Sequence, residues 1–175
     1  MAIKEVLRMG SSILLERARR VEHINSVEMK RLIEDMWDTS RACSGVGLAA
    51  PQIGISLQVV VFGCKENPRY PKAGVVPDSV LINPVITPLD DAQEDGWEGC
   101  LSVPGMRGLV PRYKSIKYEG FNAQGEFIEG HAEDFHARIL QHECDHLLGI
   151  LYPMRMQQMS MFGFQEELQQ SGVLG

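Results

Sequence analysis

Gln141-His142-Glu143-Cys144-Asp145-His146 lies in an otherwise apolar stretch near the end of the chain, and the rest of the sequence is read from it. The two imidazoles are four residues apart, about one helical turn, so on a helix both can bind a single metal ion from one face. Glu143 sits about 100° further round and stays off the metal. From there it can reach a metal-bound water, which makes it a candidate proton carrier. This spacing is the mark of a metal-dependent hydrolase, but the pattern is short enough to arise by chance, so its surroundings matter.

Glu133 and Asp134 stand where first-turn carboxylates complement a helix dipole, and Phe135, Ile139, Leu140, Leu147 and Leu148 recur at helical spacing. Gly149 is a natural stop. The pattern predicts a helix over 133–148 that carries the His pair near its C-terminal end with much of its surface buried. Two histidines in such a core need a reason to be there, and a metal supplies one.

Further out, Ser26 can cap a helix running to about Cys43, with Val27, Leu32, Ile33, Met36 and Trp37 as its apolar stripe. A Gly-punctuated loop, 45–54, leads into a strand at 57–63, and prolines among charges mark 65–78 as an exposed loop. Strands are expected at 80–86, 99–103, 113–121 and 126–131, with a turn at 122–125. Because strands and helices do not alternate regularly, an α+β fold is predicted. Mostly antiparallel strands pack around a central metal-binding helix, with a second helix near the N-terminus.

At 175 residues and 19.6 kDa the chain is expected to form one domain over 1–175, able to bury roughly two thirds of its unfolded surface. Cys43, Cys64, Cys100 and Cys144 form no CxxC pair, which favours a reducing compartment. No apolar run approaches the roughly 20 residues of a membrane span, and no targeting segment is evident, so a cytoplasmic location is expected. A formal net charge of −6 disfavours nucleic acid as substrate. Arg17, Arg19 and Arg20, interleaved with acids, read as a solvated face, and Met154, Met156, Met159 and Met161 as adaptable packing rather than a soft-metal site.

Two histidines leave a catalytic metal one protein ligand short of three. An HExxHxxGxxH continuation runs through Gly149 but meets Tyr152 where the last His should stand. Glu166 or Glu167 lies about twenty residues on, a spacing some metallopeptidases use for a Glu ligand. The third candidate is Cys100, in Glu98-Gly99-Cys100-Leu101-Ser102, where Gly99 permits close backbone approach.

Taken together, GVGLAAPQ (45–52), EGCLS (98–102) and QHECDH (141–146) resemble, in order and spacing, the three motifs of the peptide deformylase family. With the linking segments, the resemblance covers essentially the whole chain. It implies that Cys100, His142 and His146 hold one divalent metal ion, Fe²⁺ physiologically, with Zn²⁺, Ni²⁺ or Co²⁺ as substitutes. It implies hydroxide generated at the metal attacking a formyl carbon, with Glu143 as general base and then acid. The oxyanion would be met by the Leu101 backbone N–H and the Gln52 amide. Substrates would be the formyl-Met N-termini of nascent chains, and formate would leave. Val46, Gly47 and Gly99 would run along the extended substrate, with Phe135 and Ile139 helping to form the Met pocket. Glu98, Arg112 and Asp145 are candidates to orient ligands.

Two departures from the family pattern stand out. Arg138 and His136 occupy positions where some members have aliphatic residues, and they either shape the pocket or face solvent. From Phe164 onward there is no Lys or Arg. Ribosome proximity through a basic, RNA-binding tail is therefore not expected, and it would come from another surface or by diffusion. Two competing readings are an HExxH metallopeptidase using Glu166 and an inactive metal-binding protein on the same fold.

Overall fold

The computed structural model describes residues 2–65 and 74–174. Its elements are α1 (Val27–Ala42), β1 (Gly47–Ala49), β2 (Val59–Cys64), β3 (Val76–Pro88), β4 (Gln93–Cys100), β5 (Val103–Tyr113), β6 (Ser115–Phe121), β7 (Phe127–Glu133), α2 (Asp134–Leu147), β8 (Phe162–Phe164) and α3 (Gln165–Gln170), with short 3-10 turns between them. One sheet has the order β1-β2-β3-β6-β7 and the other β4-β5-β8, and every pairing between these strands is antiparallel. The α+β reading is right.

The uninterrupted apolar run of β2 explains the layering. Side chains alternate across a strand, so Val60 and Phe62 face one side and Val59 and Val61 the other. The first pair packs against Ala137, Ile139 and Leu140 of α2; the second packs against Met29, Ile33 and Met36 of α1. A strand covered on both faces needs no polar alternation. The Ser26 hydroxyl accepts from the Met29 N–H at 3.1 Å and so caps α1, and Gly149, at φ +74°, ends the α2 segment.

Several boundaries differ from those predicted. The apolar stretch 99–103 is not one strand: β4 ends at Cys100, Leu101 and Ser102 turn, and β5 returns with Cys100 opposite Val103. The outer half of β4 is acidic and exposed, which hides its extended character in the sequence. The stretch 113–121 breaks at Lys114, between β5 and β6. Of the expected loop 65–78, Val76, Pro77 and Asp78 belong to β3, and residues 66–73 lie outside the described residues.

Two contacts of the N-terminal segment bring distant loops together. The Leu7 N–H donates to the Gln52 carbonyl and the Met9 N–H to the Ser102 carbonyl, both at 2.8 Å. One extended stretch thus braces the 3-10 turn holding Gln52 against the β4–β5 hairpin. The segment is anchored again at Asn83, in an irregularity of β3, where φ is +52°. The Asn83 side chain accepts from the Val21 N–H at 2.8 Å and donates to the Val21 carbonyl at 2.9 Å. Asn tolerates this backbone region and also satisfies a buried peptide group. Asn83→Ala is therefore expected to cost about 2–4 kcal/mol in urea denaturation, through the orphaned Val21 groups and left-handed strain. Asn83→Gly, which removes only the bonds, should cost less.

Candidate metal centre

The helical spacing delivers the expected pair. The His142 and His146 rings sit 5.2 Å apart on one face of α2, and Cys100, at the end of β4, meets them. The Cys100 Sγ lies 3.3 Å from His146 Nε2, and the three candidate ligand atoms all fall within 4.8 Å of one another. Donors sharing one ion at roughly 2.0–2.3 Å are spaced roughly 3.3–3.8 Å apart, so this set could close on a metal with small adjustments. Glu166 and Glu167 are exposed on α3, and Tyr152 is buried, stacked on the His142 ring at 6.1 Å.

A network of charges supports the helix from behind. His142 Nδ1 donates to Glu98 at 2.8 Å, which leaves Nε2 as the nitrogen that could bind a metal. Glu98 also accepts from Arg112 through Nε and Nη2, at 2.9 and 3.0 Å, and from Arg138 Nη1 at 2.9 Å. Arg112 reaches across to Asp145 through Nη1, and Arg155 closes the far end on Asp145 at 2.7 and 3.1 Å. Glu98, Arg112 and Asp145, expected to orient ligands, thus meet in one buried chain, which Arg155 extends to the surface.

Burial would raise the Glu98 carboxyl, but the Arg112 guanidinium and His142 outweigh it and hold it well below the usual carboxylate range. Burial would likewise raise the Cys100 thiol, yet His146 and His142 beside it keep it well below its ordinary value. A buried thiolate beside two imidazoles is a donor set that asks for a cation. Burial pushes the Glu143 carboxyl up to about 7, only partly opposed by the two imidazoles. Cys144 behaves differently: burial and the neighbouring carboxylates of Glu143 and Asp145 raise it strongly. It lies with Leu147 and Leu148 in a groove on another side of the helix, away from the three donors.

Two of the three donors open onto a cleft. Val46, Gly47, Gln52, Gly99, Leu101, Phe135, Ile139 and Glu143 all line it beside Cys100 and His142. The Gln52 Oε1 accepts from the Ala49 N–H at 2.8 Å, and Nε2 donates to the Ser102 hydroxyl at 3.1 Å, with Cys100 Sγ at 3.4 Å. Glu143 Oε2 is buried with no hydrogen-bond partner among the described residues. Gly47 is a glycine because a Cβ there would overlap the Glu143 carboxyl.

Sequence reasoning missed Trp97 as a wall of the cleft and Ser102 as the partner of Gln52. Arg138 also lines the cleft, whereas His136 packs elsewhere, between Phe62 and Tyr118 at 5.7 and 6.0 Å. Of the C-terminal methionines, Met156 packs beside Tyr152 and Gly108, while Met154 and Met159 are exposed.

The sequence profile of the polypeptide deformylase family matches residues 3–161. The chain belongs to that family. It is 59% identical over 166 residues to peptide deformylase 2 of Ralstonia nicotianae, an alignment covering 95% of this chain and 94% of that one. Peptide deformylase 1 of Nitrosomonas europaea is 57% identical with the same coverage. Among solved structures, the Met-Ala-Ser-bound class I type b peptide deformylase of Acinetobacter baumannii superposes with a TM-score of 0.86 at 39% identity, over 89% of this chain and 99% of that one. A deformylase of Thermotoga maritima gives 0.81 at 34%, over 90% of this chain and 100% of that one.

Within this deformylase fold the two arginines on Asp145 differ in burial. Arg112→Ala would take two hydrogen bonds from Glu98 and one from Asp145, together with the buried charge between them, and is expected to cost about 3–5 kcal/mol in urea denaturation. Arg155→Ala, at the half-exposed end of the chain, should cost about 1 kcal/mol or less.

Proposed function

We propose that this chain is a metal-dependent hydrolase that removes the formyl group from formyl-methionyl N-termini of nascent polypeptides, releasing formate and a free amino terminus. The observation that carries the reading is the convergence of Cys100, His142, Glu143, Gln52 and Leu101 on one cleft, in a chain of this family. We take 1–175 as one catalytic domain working in the cytoplasm, in keeping with four free cysteines. No helix among the described residues is long and apolar enough to cross a membrane.

Cys100, His142 and His146 would hold one divalent ion, Fe²⁺ by preference, with Zn²⁺, Ni²⁺ or Co²⁺ able to use the same donors. When bound, the ion supplies Lewis acidity and lowers the pKa of water toward neutrality. The Glu143 carboxyl, near 7, takes a proton from the water whose oxygen adds to the formyl carbon. As the C–N bond breaks, it returns that proton to the departing nitrogen. The Leu101 N–H and the Gln52 amide donate to the oxyanion, Gln52 being fixed from both ends by Ala49 and Ser102.

Both sheets contribute a free edge to the cleft. β1 is the outer strand of one sheet and β4 of the other, and Gly47 and Gly99 line the cleft between them. An extended peptide entering there can bond to these backbones as an added strand, with Phe135 and Ile139 beneath its first side chain. α3 carries Glu166 and Glu167 and no base, so this helix offers no cationic face to nucleic acid.

Protein loaded anaerobically with Fe²⁺ or Ni²⁺ should release formate from formyl-Met-Ala-Ser and leave acetyl-Met-Ala-Ser largely intact. No formate from metal-replete protein would sink the proposal. Glu143→Gln should keep the metal yet lower kcat by about 10²–10⁴-fold. In metal analysis after dialysis, Cys100→Ala should lose stoichiometric metal, whereas Glu166→Ala should retain it.

A further inference from the structure

Arg138 is a cation inside the cleft for which the proposed chemistry has no use. Phe135, Arg138, Ile139 and His142 follow one another at helical spacing, so the stripe of α2 that faces the cleft carries a guanidinium in the middle of its apolar part. The group is held firmly. Nη1 donates to the Val110 carbonyl at 2.8 Å and to Glu98 at 2.9 Å, with the Gly96 carbonyl at 3.4 Å; Nη2 donates to the Glu94 carbonyl at 2.6 Å. Its side chain is 13% exposed.

Gly96 shows why the guanidinium fits. Its φ is not in the left-handed region, so the backbone does not demand glycine there. A Cβ added at Gly96 would instead lie 2.6, 2.7 and 2.8 Å from Arg138 Cζ, Nη2 and Nε. Three atoms of the plane at nearly equal distance mean that the guanidinium lies face-on over Gly96, in the space a side chain would fill. With its acceptors on β4, on β5 and on Glu98, it has little freedom to retreat when a ligand presses against it.

We propose that Arg138, seated on Gly96, forms the closed end of the pocket that receives the substrate's first side chain, and so sets a ceiling on that side chain's length. The inference rests on the reading of the cleft as a formyl-methionyl site. Arg138 is here a specificity residue; the reaction proceeds without its charge. On this assignment a straight side chain of methionine's length is accepted, and one two methylenes longer meets the guanidinium.

The test compares kcat/KM for formyl-Met-Ala-Ser and formyl-(2-aminooctanoyl)-Ala-Ser on the metal-loaded enzyme. Wild type should favour the methionyl peptide by about tenfold or more. Arg138→Ala should raise the ratio of long to methionyl substrate by about tenfold, and Arg138→Gln, which keeps a donor for Glu98, should raise it by a smaller factor. The ratio cancels any loss of folded or metalated enzyme, because both substrates meet the same active fraction. Wild type that hydrolyses both peptides equally, or variants whose ratio stays within about twofold of wild type, would overturn the assignment. Wild type that releases no formate from either peptide would instead defeat the underlying functional reading.

Discussion

A buried carboxylate left unpaired is among the costliest defects a core can hold, and Glu98 accepts from Arg112, Arg138 and His142 at once. That requirement ties β4 and β5 to α2 more tightly than apolar packing does, because each bond has a direction. Glu98 bonds a ring nitrogen of His142 and lies two residues before Cys100 on the same strand, so the pairing that satisfies the carboxylate also brings the sulfur to the helix. Asp145, on the same helix, takes the other side of Arg112. The donor atoms are thus positioned by groups outside the donor set.

The layers explain why this arrangement sits beside an open cleft. β2 is covered by α1 on one face and α2 on the other, so α2 is pressed against the five-stranded sheet and presents a different stripe to the smaller one. The edge strands β1 and β4 both reach the stripe containing His142 without pairing to each other. A gap between two outer strands, with donors beneath it, suits an extended chain. The N-terminal segment adds to this by bonding to Gln52 and Ser102, which lie far apart in sequence.

What could be read in the chain beforehand follows from the range of the interactions involved. The α2 periodicity, the His pair and the Ser26 cap are local, and the structure places each within a residue or two of its expected position. The turn at Leu101 and Ser102 was not legible, because it contains no Gly, Pro or Asn and sits in an apolar run. The acidic half of β4 gives no strand signal for the opposite reason: it lacks an apolar face. Cys100 was a candidate on its local sequence, but only the resemblance singled it out, since spacing left Glu166 and Glu167 open. Arg138 was ambiguous because a charge on an amphipathic helix usually marks the solvent side, and only the space over Gly96 reveals otherwise. Ser102 and Arg155 gave no signal at all, since their partners lie 50 and 10 residues away.

The two buried glutamates at the centre are chemically identical, and their surroundings set them apart. Glu98 is enclosed by donors, so burial is overcome and it stays ionised, a fixed negative charge that orients His142. Glu143 has one oxygen without a hydrogen-bond partner among the described residues, and burial prevails there, placing its carboxyl near 7. A group that titrates near neutrality can both accept and return a proton, whereas one held far below cannot. Exchanging these environments would leave a centre with a well-placed base of the wrong strength. In the proposed mechanism Arg112 would therefore serve catalysis as well as stability, because it keeps the orienting carboxylate out of the proton chemistry assigned to Glu143.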